Sequence, residues 1–159
     1  MVAHSKTNAM RILEQKNIKY NMNTYDSEDG KIDGVSVAEK IGKDPATVYK
    51  TLVCQGGSGN YYVFVIPVAE ELDMKKAARA ADEKKVEMIM VKDIQKVTGY
   101  IRGGCSPVGM KKEYRTFIDS SAESFENIIV SGGRIGTQIE LKVEELQKAV
   151  KAEIHDITK

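Results

Sequence analysis

The chain has 159 residues, of which 42% are hydrophobic and 30% charged, and its formal net charge is +1. This length fits one domain over residues 1–159, and the absence of a long apolar run or a signal-peptide pattern predicts a cytoplasmic protein with no membrane contact. Cys54 and Cys105 lie far apart and His4 and His155 lie near the termini, so the spacing of these residues indicates no disulfide framework, no metal site and no cofactor.

The N-terminal part of the chain predicts two helices separated by a strand. Asn8–Lys16 carries apolar residues at helical spacing behind a cap at Thr7, and Lys19–Thr24 alternates as a half-buried strand does. A capping-box pattern that begins at Ser36 opens a second helix, and Gly42 is suited to end it.

The next segment predicts an antiparallel hairpin. The strands Thr51–Gln55 and Tyr61–Ile66 flank the flexible loop Gly56–Asn60. Lys50 lies at the start of the first strand, between Tyr49 and an apolar run. Its ammonium group must therefore either extend to water along the surface or point into a polar cleft, and spacing alone favours water.

Shorter elements follow to the C-terminus. Periodicity predicts helices over residues 73–81, 92–97 and 143–152 and strands over residues 86–90, 99–102, 116–119, 127–131 and 137–142. Because strands outnumber regular strand–helix–strand units, we expect an α/β fold in which peripheral helices pack outside one curled, mixed β-sheet.

Charge is distributed unevenly along the chain. Residues 75–115 hold 11 basic and 5 acidic side chains, a net charge of +6, whereas the remainder has a net charge of −5. A basic surface that binds a polyanion has this composition, although lysines on solvated helix faces have it too.

A glycine-rich loop runs from Tyr100 to Lys112. Gly103, Gly104 and Gly109 lack a Cβ and let main-chain N–H groups approach a ligand, while Pro107 fixes one φ angle. Such a loop can present oriented N–H groups to a carbonyl or phosphate oxygen. Taken alone, the pattern favours a tight connection between two strands.

The sequence contains no nucleophile paired with a base and no central histidine. Cys105 lies among basic residues, but with no base in view we interpret it as a small apolar filler. Ser106 and Ser131 are better interpreted as hydrogen-bonding groups of a pocket than as attacking groups.

Several segments occur together in one family. They are Thr24–Asp26, Val48–Leu52, Pro67–Ala69, Leu72–Lys76, Thr98–Pro107 and Val130–Gly133. On these segments the chain resembles the YbaK/EbsC family of aminoacyl-tRNA deacylases, most closely the Cys-tRNA(Pro) deacylase branch, from Thr7 to Val150. That family is similar to the editing domain of prolyl-tRNA synthetases.

The resemblance implies the fold of that editing domain and hydrolysis of the ester in mischarged tRNA, most closely Cys-tRNA(Pro). It implies that the thiol of the substrate attacks its own ester and that the partners are the acceptor end of tRNA and prolyl-tRNA synthetase, with no DNA. The residues that it assigns to catalysis are Lys50, Gly103 and Gly104, and those that it assigns to substrate binding are Tyr25, Ser106, Pro107, Gly109, Ser131 and Gln138.

Two positions depart from the pattern of the cysteine branch. Asp33 replaces a frequent aromatic residue before Gly34, and Gln138 replaces a frequent aspartate. Both changes could alter which amino acid fits the pocket. A deacylase for Ala- or Ser-charged tRNA, or a non-catalytic module that binds tRNA or a synthetase, therefore stays open as an alternative.

Overall fold

The computed structural model describes residues 6–159, which contain both helices and strands; His4 lies outside the described residues. The helices are α1 (Asn8–Gln15), α2 (Gly34–Lys40), α3 (Met74–Ala80), α4 (Ile94–Thr98) and α5 (Val143–Val150). The strands are β1 (Asn21–Thr24), β2 (Tyr49–Gly56), β3 (Tyr61–Pro67), β4 (Val86–Met88), β5 (Arg115–Asp119), β6 (Asn127–Arg134), β7 (Thr137–Lys142) and β8 (Glu153–His155). Short 3-10 helices span Pro45–Thr47, Val91–Asp93 and Ser120–Ser124.

The mixed α/β fold is confirmed, but the strands form two sheets instead of one continuous sheet. The order of the antiparallel three-stranded sheet is β1-β7-β6, and the order of the five-stranded sheet is β4-β2-β3-β5-β8. In the larger sheet β5 pairs in parallel with both β3 and β8, whereas the predicted β2–β3 hairpin is antiparallel. A single parallel bridge between Val48 and Ile129 connects the two sheets.

The alternation of side chains along β3 divides the core in two. Val63 and Val65 belong to an apolar cluster that also contains residues of β6, β7, α1 and α5. Tyr62, Phe64 and Ile66 point to the opposite face, where α3 packs. Each such side chain contributes roughly 1.5–3 kcal/mol when it is fully buried, so both sheets are held by apolar packing.

Three predicted boundaries were wrong for local reasons. Helix α2 begins earlier than the capping box suggested, because the Asp33 carboxylate, and not Ser36, accepts the backbone N–H that caps it. Residues 99–102 form turns instead of a strand, since Gly99 ends α4 in a left-handed conformation with φ of 86°. Strand β6 continues beyond its predicted end at Ser131 to Arg134, and the turn that follows is residues 135–136.

One strand escaped prediction entirely. Glu153–His155 forms β8 at the edge of the five-stranded sheet, beside β5, after α5 has ended at Val150. Three residues are too few to show alternation, so neighbouring β5 determines this strand. In the described part of the chain, the helices are all too short or too polar to cross a membrane.

Candidate functional site

The candidate site lies beside an open edge of β2. On one side β2 pairs with β3 from Tyr49 to Gln55, whereas on the other side it pairs with β4 only from Cys54 to Gly56. At its start, the Val48–Ile129 bridge ties the chain to β6. Among residues 6–159, the edge of β2 between these two connections has no strand partner, and the two sheets separate there.

A pocket of about 120 Å³ fills this gap. We call it the β2-edge pocket, and its lining residues are Ile32, Gly34, Val37, Val48, Tyr49, Lys50, Thr51, Val68, Gly103, Cys105, Ser131 and Gln138. Pockets for drug-sized ligands usually measure about 300–1,000 Å³, and a water molecule occupies about 30 Å³. The β2-edge pocket can therefore admit a small acyl group, but not a nucleotide.

Lys50 is the one basic residue that lines the β2-edge pocket. It is half-buried, and within the described chain its ammonium group has neither an ion-pair partner nor a hydrogen bond. Burial lowers the pKa of Lys50, and the nearby carboxylates of Glu71 and Glu70 oppose that shift. A charge held this way is available to an incoming anion or a developing oxyanion. The cleft alternative predicted for Lys50 thus agrees with its position.

The glycine loop contributes one predicted glycine directly to the β2-edge pocket. Gly103 lines it with φ of 84°, and its N–H has no acceptor in residues 6–159. Gly104 is not a free donor, because its N–H donates to the carbonyl of Ile101 at 3.0 Å. Instead, a Cβ on Gly104 would lie 2.9 Å from the Arg134 Cα, so this glycine permits close packing against the β6–β7 turn.

The rest of the predicted loop wall lies elsewhere. Ser106 is fully buried, and its Oγ accepts the N–H of Val108 at 3.2 Å. Pro107 and Gly109 line a separate cavity beside α1 and α5, where the Gly109 carbonyl accepts a hydrogen bond from Asn8. These three residues shape the loop and do not line the β2-edge pocket.

Two of the predicted residues, both from the three-stranded sheet, line the β2-edge pocket. Ser131 and Gln138 are paired across β6 and β7, so their side chains share one face of the sheet. The Ser131 hydroxyl accepts the N–H of Gly133 at 3.2 Å. The Gln138 amide oxygen is buried and has no hydrogen-bond partner in the described chain, and the same holds for the hydroxyl of Thr51.

Tyr25 and Asp33 both lie outside the lining. The Tyr25 ring contacts Lys40, whose ammonium nitrogen lies 5.8 Å from the ring centre. The Asp33 carboxylate faces the N-terminus of α2, and its hydrogen bonds with the hydroxyl and N–H of Ser36 lower its pKa. The Asp33 carboxylate therefore acts as a helix cap outside the lining, and its effect on amino-acid preference stays a prediction.

The thiol of Cys105 lies in the pocket wall, where burial acts on its pKa more strongly than an opposing hydrogen bond with Thr98 does. Burial raises the pKa of Cys105 to about 11, so the group is a neutral thiol near pH 7. His155, the described histidine, lies on β8 and contacts the Phe117 ring. Among residues 6–159, no cluster of His, Cys, Asp and Glu has the arrangement of a metal site. The described residues thus hold no pre-formed nucleophile–base pair in this pocket.

Part of the basic segment is neutralised by local ion pairs. Lys76, Lys85, Lys96 and Arg115 each pair with a carboxylate within 4 Å. The basic residues of the segment that are exposed and have no ion pair in the described chain are Lys75, Arg79, Lys84, Lys92, Arg102, Lys111 and Lys112. These residues are the ones available to a polyanion.

Sequence reasoning missed Thr51 as a pocket residue. Strict alternation places Lys50 and Thr51 on opposite faces of a strand. Both residues line the pocket because it lies alongside the open edge of β2, where side chains from either face of the strand can contact it. No local signal in the sequence marks that edge, since it depends on where β6 separates from β2.

Comparisons with known proteins agree with this geometry. The family model described as "Aminoacyl-tRNA editing domain" matches residues 33–149. The chain is 43% identical over 153 residues to EbsC of Enterococcus faecalis, named as a candidate Cys-tRNA(Pro)/Cys-tRNA(Cys) deacylase, and the match covers 96% of this chain and 93% of EbsC.

Two further matches concern prolyl-tRNA synthetases. A proline–tRNA ligase of Brachyspira hyodysenteriae is 33% identical over 69 residues, which cover 43% of this chain and 12% of the ligase. A solved structure described as a candidate trans-editing enzyme for prolyl tRNA synthetase has a TM-score of 0.84 and 20% identity. That match covers 96% of this chain and 95% of the other, and at this identity it shows a shared fold.

Proposed function

Because the chain belongs to the family of aminoacyl-tRNA editing domains, we propose that it hydrolyses the ester of mischarged tRNA and that its substrate is Cys-tRNA(Pro). The proposal for the reaction rests on the family, and the proposal for cysteine rests on the name of the EbsC relative. The fold shared with the candidate trans-editing enzyme is consistent with both.

The observation that carries the proposal is the position of Lys50. A half-buried ammonium group with no ion pair or hydrogen bond in the described chain lies in a pocket large enough for an aminoacyl group, and Gly103 lines the same pocket. Positive charge and N–H donors in a partly desolvated site stabilise the negative charge that develops on an ester oxygen during acyl transfer. A surface that merely bound phosphate would not need a small pocket.

We infer that the substrate supplies the nucleophile. Cys105 is a neutral thiol and no base accompanies it, whereas the cysteine of the substrate carries its own thiol. In the proposed step, that sulfur forms a bond to the ester carbonyl carbon, the bond from this carbon to the ribose oxygen breaks, and the thiol proton passes to that oxygen. The products are tRNA and a cyclic thiolactone, which water then opens. Holding the thiol and the ester carbonyl in a reactive orientation can by itself strongly accelerate such an intramolecular attack.

A separate editing site has a physical reason. Cysteine and proline are similar in size, and an apolar pocket separates near-isosteres by only about 1–3 kcal/mol, so a synthetase that selects proline admits some cysteine. We propose that prolyl-tRNA synthetase is the partner and presents the mischarged tRNA before release, in agreement with the similarity to part of a proline–tRNA ligase. We propose that this activity on charged tRNA takes place in the cytoplasm.

Hydrolysis of a matched set of charged tRNAs tests this function. Cys-, Ser- and Ala-tRNA(Pro), made on one tRNA body, are incubated with the protein, and the surviving ester is measured over time. We expect cysteine to be released much faster than serine, whose hydroxyl is a weaker acid, and a trapped thiolactone to be detected by mass spectrometry. Equal rates on all three would indicate an attacking water, and no release from any would indicate a binding module.

A further inference from the structure

Two residues that line the β2-edge pocket each carry a buried side-chain oxygen whose hydrogen-bonding capacity is unused. The Gln138 amide oxygen and the Thr51 hydroxyl have no hydrogen-bond partner in the described chain, and both residues line the pocket. Gln138 as a whole is only 7% exposed. A buried acceptor without a donor destabilises a folded protein, so two such acceptors in one pocket wall require a physical reason.

The polar groups of the pocket differ in what they can bind. None of the twelve lining residues is acidic, and the carboxylates that act on Lys50, those of Glu70 and Glu71, are exposed and lie outside the lining. The pocket therefore has a cation but no carboxylate. A ligand group that enters it as a donor is best satisfied by neutral acceptors, and it gains nothing from carrying a positive charge of its own beside Lys50.

We infer that Gln138 and Thr51 determine specificity by accepting hydrogen bonds from a neutral donor at the α-carbon of the acyl group, which in an aminoacyl ester is the uncharged amine. This inference rests on the proposed function for the identity of the acyl group. The terminal torsion of a glutamine amide is soft, so rotation within the pocket turns the oxygen toward a ligand without backbone movement. Acyl groups that lack the donor leave both oxygens unpaired and are rejected.

The neighbouring strand offers a competing role for Gln138. Asn23 is its cross-strand partner, and the Asn23 amide nitrogen is also buried without a partner. If Gln138 served only to fill this polar row between the sheets, replacing it would lower stability without changing which ligand binds. The two roles are therefore separated by ligand discrimination and not by loss of binding alone.

Binding of hydrolysis-resistant ligands tests the inference independently of catalysis. The probes are terminal adenosines that carry, through a 3′-amide, a cysteinyl, a 3-mercaptopropionyl or a 2-hydroxy-3-mercaptopropionyl group, and Kd is measured by NMR titration. All three keep the thiol, so the nucleophile does not vary. We expect the mercaptopropionyl probe, which lacks the donor, to bind about 10- to 100-fold more weakly than the cysteinyl probe. The hydroxy probe, a neutral donor, should bind within about 10-fold of the cysteinyl probe.

Isosteric variants then assign the effect to residues. Gln138→Met and Thr51→Val should each reduce the discrimination between the cysteinyl and mercaptopropionyl probes several-fold. The matched control is Thr116→Val, which removes a buried hydroxyl bonded to the Tyr114 carbonyl outside the pocket and should leave the discrimination unchanged. Equal binding of the cysteinyl and mercaptopropionyl probes to the parent protein would overturn the inference.

The remaining outcomes are also decisive. A hydroxy probe as weak as the mercaptopropionyl probe would overturn the recognition of a neutral donor in favour of an ammonium. Unchanged discrimination in folded Gln138→Met and Thr51→Val would overturn the assignment to these residues. Discrimination between the probes without hydrolysis of any charged tRNA would support the inference while overturning the proposed function, so the two failures are distinguishable.

Discussion

Val48 and Ile129 pair in a single parallel bridge, and Lys50 and Ser131 follow two residues later on the strands that diverge from it. Both of these side chains line the β2-edge pocket. The bridge therefore fixes how the two sheets approach each other, and the pocket lies where they separate. A residue that widened this junction would change the distance between Lys50 and the three-stranded sheet.

We expect Lys50→Met to lower kcat for deacylation by about 10²–10³-fold, because it removes a charge that stabilises the developing oxyanion. Methionine keeps the apolar stem, and the lost ammonium group was partly desolvated, so Tm should equal or exceed that of the parent. Kinetics and thermal melts measure the two effects. The control Lys19→Ala removes an exposed lysine and should change neither. Parent activity in Lys50→Met would exclude this role for Lys50.

The pH dependence of activity should follow the protonated form of Lys50. Because burial lowers its pKa below the ordinary 10.5, the ammonium form and the activity are lost as the pH rises through that lowered value. Because its pKa is lowered in the folded state, protonated Lys50 destabilises the folded protein. The free energy of unfolding should therefore increase as the pH rises and Lys50 loses its proton. Rates and melts across the alkaline range measure both, and Lys50→Met should remove both trends.

Cys105→Ala should retain near-parent activity. Burial raises the pKa of this thiol to about 11, so little thiolate exists at neutral pH, and the reacting sulfur is proposed to be that of the substrate. The rate of Cys-tRNA hydrolysis measures this directly. A large loss in a variant with an unchanged melting curve would contradict the substrate-supplied nucleophile.

Gly104→Ala should lower stability by roughly 1–3 kcal/mol and reduce activity, because its Cβ would meet the backbone of Arg134 and Ile135 at 2.9 Å and push the glycine loop from the β6–β7 turn. Denaturant unfolding measures the change. Gly57→Ala is the matched control, since a Cβ there meets nothing within 4 Å. Equal effects of the two substitutions would show that the close approach of the loop is unimportant.

Asp33→Ala should lower the free energy of unfolding by about 1 kcal/mol, which corresponds to a decrease in Tm of about 2–4 °C. It should not alter the preference for cysteine over alanine. Asn can accept the same bonds, so Asp33→Asn should recover most of the loss. Hydrogen bonds from Ser36 lower the pKa of Asp33, so its stabilising effect is present above the ordinary value of 3.8 and disappears as pH falls through the folded pKa. A changed amino-acid preference in Asp33→Ala would show that Asp33 contributes to substrate selection.

Binding of tRNA should depend on the unpaired part of the basic segment. Replacing Lys75, Arg79 and Lys84 with alanine should weaken binding and reduce the slope of log K against log salt by about 0.7–0.9 for each lost phosphate contact. The matched triple variant of the ion-paired residues Lys76, Lys85 and Lys96 should have a smaller effect. Titrations at several salt concentrations compare them, and equal losses would argue against this surface.

Local sequence patterns determined much of the fold. Helices with clear spacing and a cap, such as the one behind Thr7, and the hairpin of β2 and β3 were predicted because their signals lie within one element. The mixed α/β class followed from the ratio of strands to helices. Strand β8 and the turn at residues 99–102 were not predicted, since neighbouring β5 determines the first and a left-handed Gly99 determines the second.

The sequence by itself selected Lys50, Gly103, Ser131 and Gln138, through motifs and a family resemblance. Only the tertiary structure decided that these residues meet, that Asp33 caps a helix, and that Ser106, Pro107 and Gly109 shape the loop away from the β2-edge pocket. The physical reason is that the pocket forms between two sheets, where residues far apart in the chain approach across the Val48–Ile129 bridge. Periodicity predicts on which face of a helix or strand a side chain lies, but it does not predict where two sheets separate.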